Sequence, residues 1–289
     1  MGVFLVEKAS IMDAIAKGFE QGFLTSAHLT ASQVDFQTQN AEGDQSLIQS
    51  IARNFAESNA KEIAVIGTPA VIAMAKATTT KPIIAVAMGD PVGAKVAKSL
   101  DAPGGNVTGT IDFVDPAKVL DQILLVKPTP ARLGTIYNPS NENSQVWVAA
   151  LQEAVRSHPG LSLHTAAITS SGDVAAAARS LEGQVQAVLI GPDADAIAAV
   201  PAIASVAQTA NQQLYLVGGD VTTAGVLASI GPNYPQLGEQ AGAIAAQIYA
   251  GTAPGVIPFG RPSNVMWQVN QQTATKLGVT LPARAGSGT

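Results

Sequence analysis

The sequence predicts an α/β protein built as two Rossmann-like lobes with parallel sheets. Three observations predict it. Short, unbroken apolar runs alternate with segments whose apolar residues recur at helical spacing, as expected of parallel strands joined by helical crossovers. The alternation restarts near residue 132. The two halves also match in order, "AVIGTPA" (64–70) with "VLIGPDA" (188–194) and "IAVAMGD" (84–90) with "LYLVGGD" (214–220).

The elements follow in order. "VFLV" (3–6) reads as a strand, and "SIMDAIAKGFEQGF" (10–23) and "LIQSIARNFAES" (47–58) as amphipathic helices. "IAVIG" (63–67) is a strand, "PAVIAMAKAT" (69–78) a helix and "IIAVAM" (83–88) a strand. "PGGNVTGTIDFVDP" (103–116) has Gly, Pro and Asn without regular period, which predicts a non-helical connection where the chain first crosses between lobes. The second lobe opens with the strand "RLGTIYN" (132–138) and the helix "SQVWVAALQEAVRSH" (144–158). "LSLHTAAI" (161–168) and "AVLIG" (187–191) read as strands around the helix "GDVAAAARSLEG" (172–183). A helix over 194–210 leads to the strand "LYLVGGD". Residues 225–251 carry one more strand and a long helix, and 264–279 a strand and a short helix, so the chain crosses between lobes more than once.

Composition limits what this chain can do. Of 289 residues 47% are apolar and 13% charged, which supports a sizeable core and argues against disorder. The net charge of −5 comes without a basic stripe, so nucleic acid is not an expected partner. There is no cysteine, hence no disulfide, thiolate nucleophile or Cys-based metal site. No apolar run approaches the ~20 residues needed to span a bilayer. The N-terminus lacks a charged segment followed by a signal-type apolar core, so either the protein is cytoplasmic or a leader has been removed.

Ligands of open parallel sheets bind beyond the carboxyl ends of the strands. Those positions fall at 7–10, 67–70, 89–91, 138–144, 191–195 and 218–222, stretches of small or polar residues just before helices. Helix N-termini there offer free N–H groups to a carboxylate, and Thr68, Ser144 and Thr222 add hydroxyls. The competing reading is that such Ser, Thr, Asn and Asp residues cap their own helices. Asp90 and Asp220 end equivalent strands, and Asp193 and Asp195 follow another. Lys8 is the one basic residue in these loops, which disfavours a phosphate ligand and favours a zwitterion.

Catalysis has no positive support. His28, His158 and His164 lie away from the strand-end loops, and no zinc spacing or Gly-x-Ser-x-Gly elbow occurs. "GDPVGAK" (89–95) lacks the Gly-Lys-Ser/Thr ending of a phosphate loop, no dinucleotide turn follows the first strand, and "DAD" (193–195) is weak as a metal pair. Neither a cofactor nor a metal is expected.

Five stretches carry a resemblance: "AEGDQSLIQSIARNF" (41–55), "IGTPA" (66–70), "GDPVGAKVAKSLDAPGGNVTG" (89–109), "IYNPSNENS" (136–144) and "GPNYPQLGEQAG" (231–242). Together they resemble the ABC-transporter substrate-binding proteins of the tryptophan/tyrosine type over nearly the whole chain. The resemblance implies the periplasmic-binding-protein type I fold with three crossings, near 110–116, 219–226 and 260–264. Lobe 1 is then 1–112 plus 225–260, lobe 2 is 113–224 plus 261–289, and a ligand cleft lies between them.

It also implies capture of a small zwitterion, most often an aromatic amino acid, by hinge closure outside the cytoplasmic membrane. The partner is an ABC permease with its ATPase. The protein is expected to be a monomer, periplasmic or at the cell surface, lipid-anchored through a leader missing from this chain. Carried over by position, the ligand contacts are Ser10, Thr68, Ala70 and Asp90 in lobe 1, and Asn138, Asn141, Ser144, Asp193 and Asp220 in lobe 2. Phe113, Tyr137 and Tyr234 are candidates for an aromatic wall. Two loops depart from the family pattern: Glu7-Lys8-Ala9 stands where many relatives carry Glu-His-Pro, and "GPDAD" (191–195) stands for "PTDN". Asp220, expected next to a hinge, is the preferred amine acceptor, and Asp90, followed by Pro91, a loop-former. The alternative is a sugar- or nucleoside-type binding protein or sensor on the same fold.

Overall fold

The computed structural model describes residues 1–263, 265–282 and 286–287. The chain divides into two compact units, Met1–Phe113 with Asn233–Ser263 and Val114–Pro232 with Asn264–Thr289, so it passes between them three times. Unit 1 contains β1 (Gly2–Leu5), α1 (Ser10–Ala27), β2 (Gln37–Asn40), α2 (Gln45–Glu57), β3 (Ile63–Ile66), α3 (Thr68–Ala77), β4 (Ile83–Met88) and β5 (Val107–Ile111). Unit 2 begins with α4 (Pro116–Ile123), β6 (Arg132–Tyr137), α5 (Glu142–Arg156), β7 (Ser162–Ala167) and α6 (Val174–Ser180). It continues with β8 (Ala187–Ile190), α7 (Ala194–Ala198), α8 (Val200–Thr209), β9 (Gln213–Val217) and β10 (Ala228–Pro232). The chain returns to unit 1 for α9 (Tyr234–Tyr249) and ends in unit 2 with β11 (Val265–Val269), α10 (Gln271–Leu277) and β12 (Gly286–Ser287).

Unit 1 has an all-parallel sheet in the order β2-β1-β3-β4-β5. Successive side chains of a strand point to opposite faces, and here both faces are covered. Phe4, Ile63, Val65, Ile83 and Ala85 pack with α2 and α3, while Val3, Leu5, Ala64, Ile66, Ile84 and Val86 pack with α1 and α9. That double coverage is why these strands read as unbroken apolar runs. Each fully buried large side chain contributes about 1.5–3 kcal/mol.

Unit 2 repeats the scheme in a sheet ordered β12-β11-β10-β9-β8-β6-β7, in which β10 and β11 run antiparallel. Leu133, Leu189, Tyr215 and Ile230 face one apolar layer, and Val188, Ile190, Leu214 and Leu216 face the other.

The structure departs from the sequence expectation in three places. The second crossing falls at Pro232–Asn233, beyond 219–226, because β10 pairs in parallel with β9 and holds residues 228–232 in unit 2. Residues 107–111 form the edge strand β5 inside the stretch expected to be an irregular connection. Its two threonines are buried because each hydroxyl is used: Thr108 Oγ1 donates to Ile257 O at 2.7 Å, and Thr110 Oγ1 accepts from Ala87 N at 3.0 Å. Finally, β2 and α4 lie in segments given no element. β2 is the polar stretch QTQN on the sheet edge, and α4 starts behind the Asp115 cap.

α1 and α9 meet backbone to backbone along Gly18, Gly22, Gly238 and Gly242. A Cβ on Gly22 would lie 2.1 Å from Glu239 O, and one on Gly242 would lie 2.3 Å from Phe19 O. At Gly18 and Gly238 it would meet Pro235 O and Ile15 O, each at 2.3 Å. Small residues permit this approach, and any side chain would force the helices apart.

Glu62, just before β3, is 4% exposed, and its Oε2 has no hydrogen-bond partner among the described residues. Burial raises its carboxyl to about 7, with the Met1 ammonium pulling the other way. Gly22→Ala is expected to destabilise the protein by about 1–3 kcal/mol in urea unfolding, as an overpacked helix contact does. Glu62→Gln should do the opposite, and with a pH signature. A buried acid with a raised folded-state pKa lowers stability as pH rises from its unfolded value of 4.5 towards about 7. The variant should therefore melt above the parent at pH 8, by the equivalent of ~1–3 kcal/mol, and match it at pH 4.

Candidate functional site

Parallel strands bring their carboxyl ends to one rim in each unit. In unit 1 this rim holds the loops after β1, β3, β4 and β5. Gly67, at φ 106°, turns the chain from β3 into α3, and a Cβ there would lie 2.4 Å from Val6 Cγ1, so no side chain fits. Among the described residues six helices are capped by an Asp or Asn side chain: α2 by Asp44, α4 by Asp115, α5 by Asn141, α7 by Asp193, α9 by Asn233 and α10 by Asn270. By contrast α1 and α3, the helices that follow β1 and β3, have no side-chain cap among the described residues. Their first-turn N–H groups carry the partial positive charge of the helix end and remain available at the rim.

The lobe 1 candidates sort around this rim. Ser10 opens α1, but its side chain lies outside what the structure describes. Thr68 is the first residue of α3, half-buried, and its hydroxyl has no hydrogen-bond partner among the described residues. The methyl of Ala70 is fully buried in the apolar core, so the position offers a ligand nothing but its N–H. Asp90 forms its loop: Oδ1 accepts from Val92 N at 3.0 Å and Gly93 N at 2.8 Å.

Sequence reasoning missed Asp112, at the end of β5. It is half-buried beside Gly89, with Oδ1 3.8 Å from where a Cβ on that glycine would sit. Its N–H donates to Met88 O at 3.4 Å, and no donor reaches its carboxylate from another side chain among the described residues. Burial pushes the carboxyl up to about 6, with its own backbone N–H working the other way. Tyr234, at the start of α9, is half-buried against the unit 1 core, and burial first and the Asp112 charge second raise its phenol.

The geometry here depends on a β-bulge. Between β4 and β5 the register runs Ala85↔Gly109 and then Met88↔Ile111, one extra residue on β4. Ala87 takes that residue's place at φ 53°, a conformation non-glycine residues seldom adopt. The bulge delivers side-chain-free Gly89 next to Asp112.

In unit 2 the candidates converge, but on one another. Asp193 is 1% exposed, and its Oδ2 accepts from Asn138 N at 2.8 Å and Ser144 Oγ at 2.5 Å. Its Oδ1 takes Ala196 N at 2.9 Å. Asn138 is equally occupied: Nδ2 donates to Asp195 Oδ2 at 2.9 Å, and Oδ1 accepts from Ser140 N at 2.9 Å. Asn141 accepts from Ser144 N at 3.4 Å as the cap of α5. These four residues tie the ends of β6 and β8 to the starts of α5 and α7, so the sequence-predicted contacts of lobe 2 are brought together and bonded to one another. Every one of their polar atoms named here is already in use.

Asp220 is exposed, and Oδ1 accepts from Thr222 Oγ1 at 2.7 Å and Thr222 N at 2.8 Å, bonds that hold the carboxyl below its ordinary range. The chain does not leave unit 2 beside it, since the crossing comes at Pro232. Asp220 stands instead at the mouth of an apolar cavity of about 140 Å³, walled by Ile190, Ile197, Val200 and Leu216, with Gly219 next to it. Of the proposed aromatic wall, Tyr137 packs against the unit 2 core and Phe113 is 36% exposed at the last residue before the first crossing.

The family model described as "ABC transporter substrate binding protein" matches residues 2–286. A tyrosine-binding protein of Clostridioides difficile (strain R20291) is 30% identical over 273 residues, 94% of this chain and 79% of that one. Among solved structures, the ligand-free, open form of a substrate-binding protein with adhesive properties from Clostridium difficile is 30% identical. It aligns with a TM-score of 0.88 over 99% of this chain and 98% of the other. An ABC domain from Streptococcus pneumonia in complex with L-Trp is 28% identical, with a TM-score of 0.74 and the same coverage of 99% and 98%.

The assignment of Asp193 as a structural tie has a measurable consequence. Asp193→Ala should cost about 2–4 kcal/mol in urea unfolding, because it strands three donors, two of them buried. Asp220→Ala, at an exposed turn, should stay within about 1 kcal/mol of the parent.

Proposed function

The chain belongs to the family of ABC transporter substrate binding proteins, and on that premise we propose that its ligand is an aromatic amino acid. Members of this family are not enzymes; they work outside the cytoplasmic membrane and hand a small ligand to an ABC permease. The observation that carries the ligand reading is the rim of unit 1, where the starts of α1 and α3 have no side-chain cap among the described residues and can receive a carboxylate. The C. difficile and S. pneumonia relatives, named for tyrosine and L-Trp, support an aromatic amino acid.

The zwitterionic end needs a positive partner for its carboxylate. The N-termini of α1 and α3, uncapped among the described residues, offer one, with the Thr68 hydroxyl beside the second. No lysine or arginine is required, which agrees with the loops' scarcity of basic residues. Monomeric action and a lipid anchor at the cell surface belong to the same proposal.

Titration calorimetry against L-tryptophan, L-tyrosine and L-phenylalanine, with arabinose and adenosine as controls, tests this reading. Saturable binding is expected for at least one of the three amino acids and for neither control. Thr68→Val, which removes the hydroxyl at the start of α3, should weaken that binding by about threefold to tenfold without lowering the melting temperature. A protein whose melting and heat are unmoved by all three amino acids does not have this function.

A further inference from the structure

We infer that Asp112, and not Asp90 or Asp220, receives the ammonium group of the ligand. The inference rests on the amino-acid reading above. Three carboxylates stand at strand ends, and their present partners separate them. Asp90 spends Oδ1 on two loop N–H groups, and Asp220 spends Oδ1 on both the N–H and hydroxyl of Thr222. Both are explained by the turns they close. Asp112 closes no turn: its carboxylate has no side-chain donor among the described residues, although it is partly withdrawn from water. A carboxylate left so is costly unless a cation arrives, and burial already raises it to about 6.

The surroundings leave room for that cation. Gly89 faces Asp112 with no side chain, and a Cβ there would sit 3.8 Å from Oδ1, on the ground an ammonium group would occupy. The bulge at Ala87 puts a glycine, and not Met88, at this spot. Tyr234, at the start of α9, lies near enough to feel the Asp112 charge and adds no positive charge. The spacing also suits an α-amino acid. β3 and β5 are two strands apart in the sheet, about 10 Å, with the uncapped start of α3 behind one and Asp112 at the end of the other. A single α-carboxylate and α-ammonium, each at hydrogen-bond distance from its partner, bridge roughly that span.

The test measures affinity for L-tryptophan and L-tyrosine, and for 3-indolepropionate, which keeps the ring and carboxylate but lacks the ammonium. Asp112→Asn is compared with the parent and with Glu62→Gln, a second buried acid outside the site. Asp112→Asn should lose about 30-fold or more in affinity for the amino acids, as removal of one member of a buried charge pair does. It should hold 3-indolepropionate as well as the parent or better, so that selectivity for the amino acid over its deaminated analogue collapses. Glu62→Gln should leave both affinities unchanged. If Asp112→Asn binds L-tryptophan within threefold of the parent, or loses both ligands equally, the assignment is wrong while the function stands. If the parent binds no amino acid at all, both are wrong.

Discussion

Unit 1 is made from two stretches of chain separated by most of unit 2, and what joins them is the approach of α9 to α1 at backbone distance. Four glycines make the approach possible, and a methyl group at any of them would sit inside the van der Waals shell of a carbonyl oxygen on the other helix. The rest of unit 1 depends on this seam. α9 completes the apolar layer over Val3, Ile66, Ile84 and Val86, and its first turn carries Tyr234 to Asp112. The same returning segment supplies Ile257 O to the buried hydroxyl of Thr108, and so lets a threonine-rich strand lie at the edge of an apolar sheet. The site rim of unit 1 is thus positioned by a helix contact that begins at the rim itself, where α1 and α9 start.

The carboxylates divide by how fully they are satisfied. Asp193 is buried with three donors and acts as a bolt between four elements, so its charge stabilises the loops that hold it. Asp112 and Glu62 are withdrawn from water without such company, and each is raised towards neutrality. For Glu62, beside no site, the arrangement is a plain loss of stability. For Asp112, at a strand end facing a glycine, the same loss is stored as affinity for whatever cation completes it. Binding proteins commonly accept such local cost where the ligand makes the missing bond.

The fold was legible where both faces of a strand are covered by helices, since burial then leaves an unbroken apolar run, as in IAVI at 63–66 or AVLI at 187–190. It was illegible where polarity is satisfied by partners far along the chain. β5 reads VTGTI, and nothing local tells that its hydroxyls meet residues 257 and 87. β2, an exposed edge strand reading QTQN, has no apolar signature at all. The candidate site followed the same division. Strand-end loops could be located from the order of elements, and Asn138, Ser144 and Asp193 do meet. What could not be read was whether they meet a ligand or each other. Asp112 escaped because it ends the strand that was not recognised; an acidic residue closing a VTGTI run was the available signal.

The glycine seam also sets an order in time. Gly22 and Glu239 are separated by roughly 200 residues, so at ~5–20 residues per second the ribosome needs about 10–40 s to make the partner of α1 after α1 itself. Through that interval the apolar layer under α1 has nothing to close on, and unit 1 cannot reach its final packing. A chain of this family does its work on the other side of a membrane. The first-made stretch of unit 1 therefore waits for α9, the last helix but one to emerge.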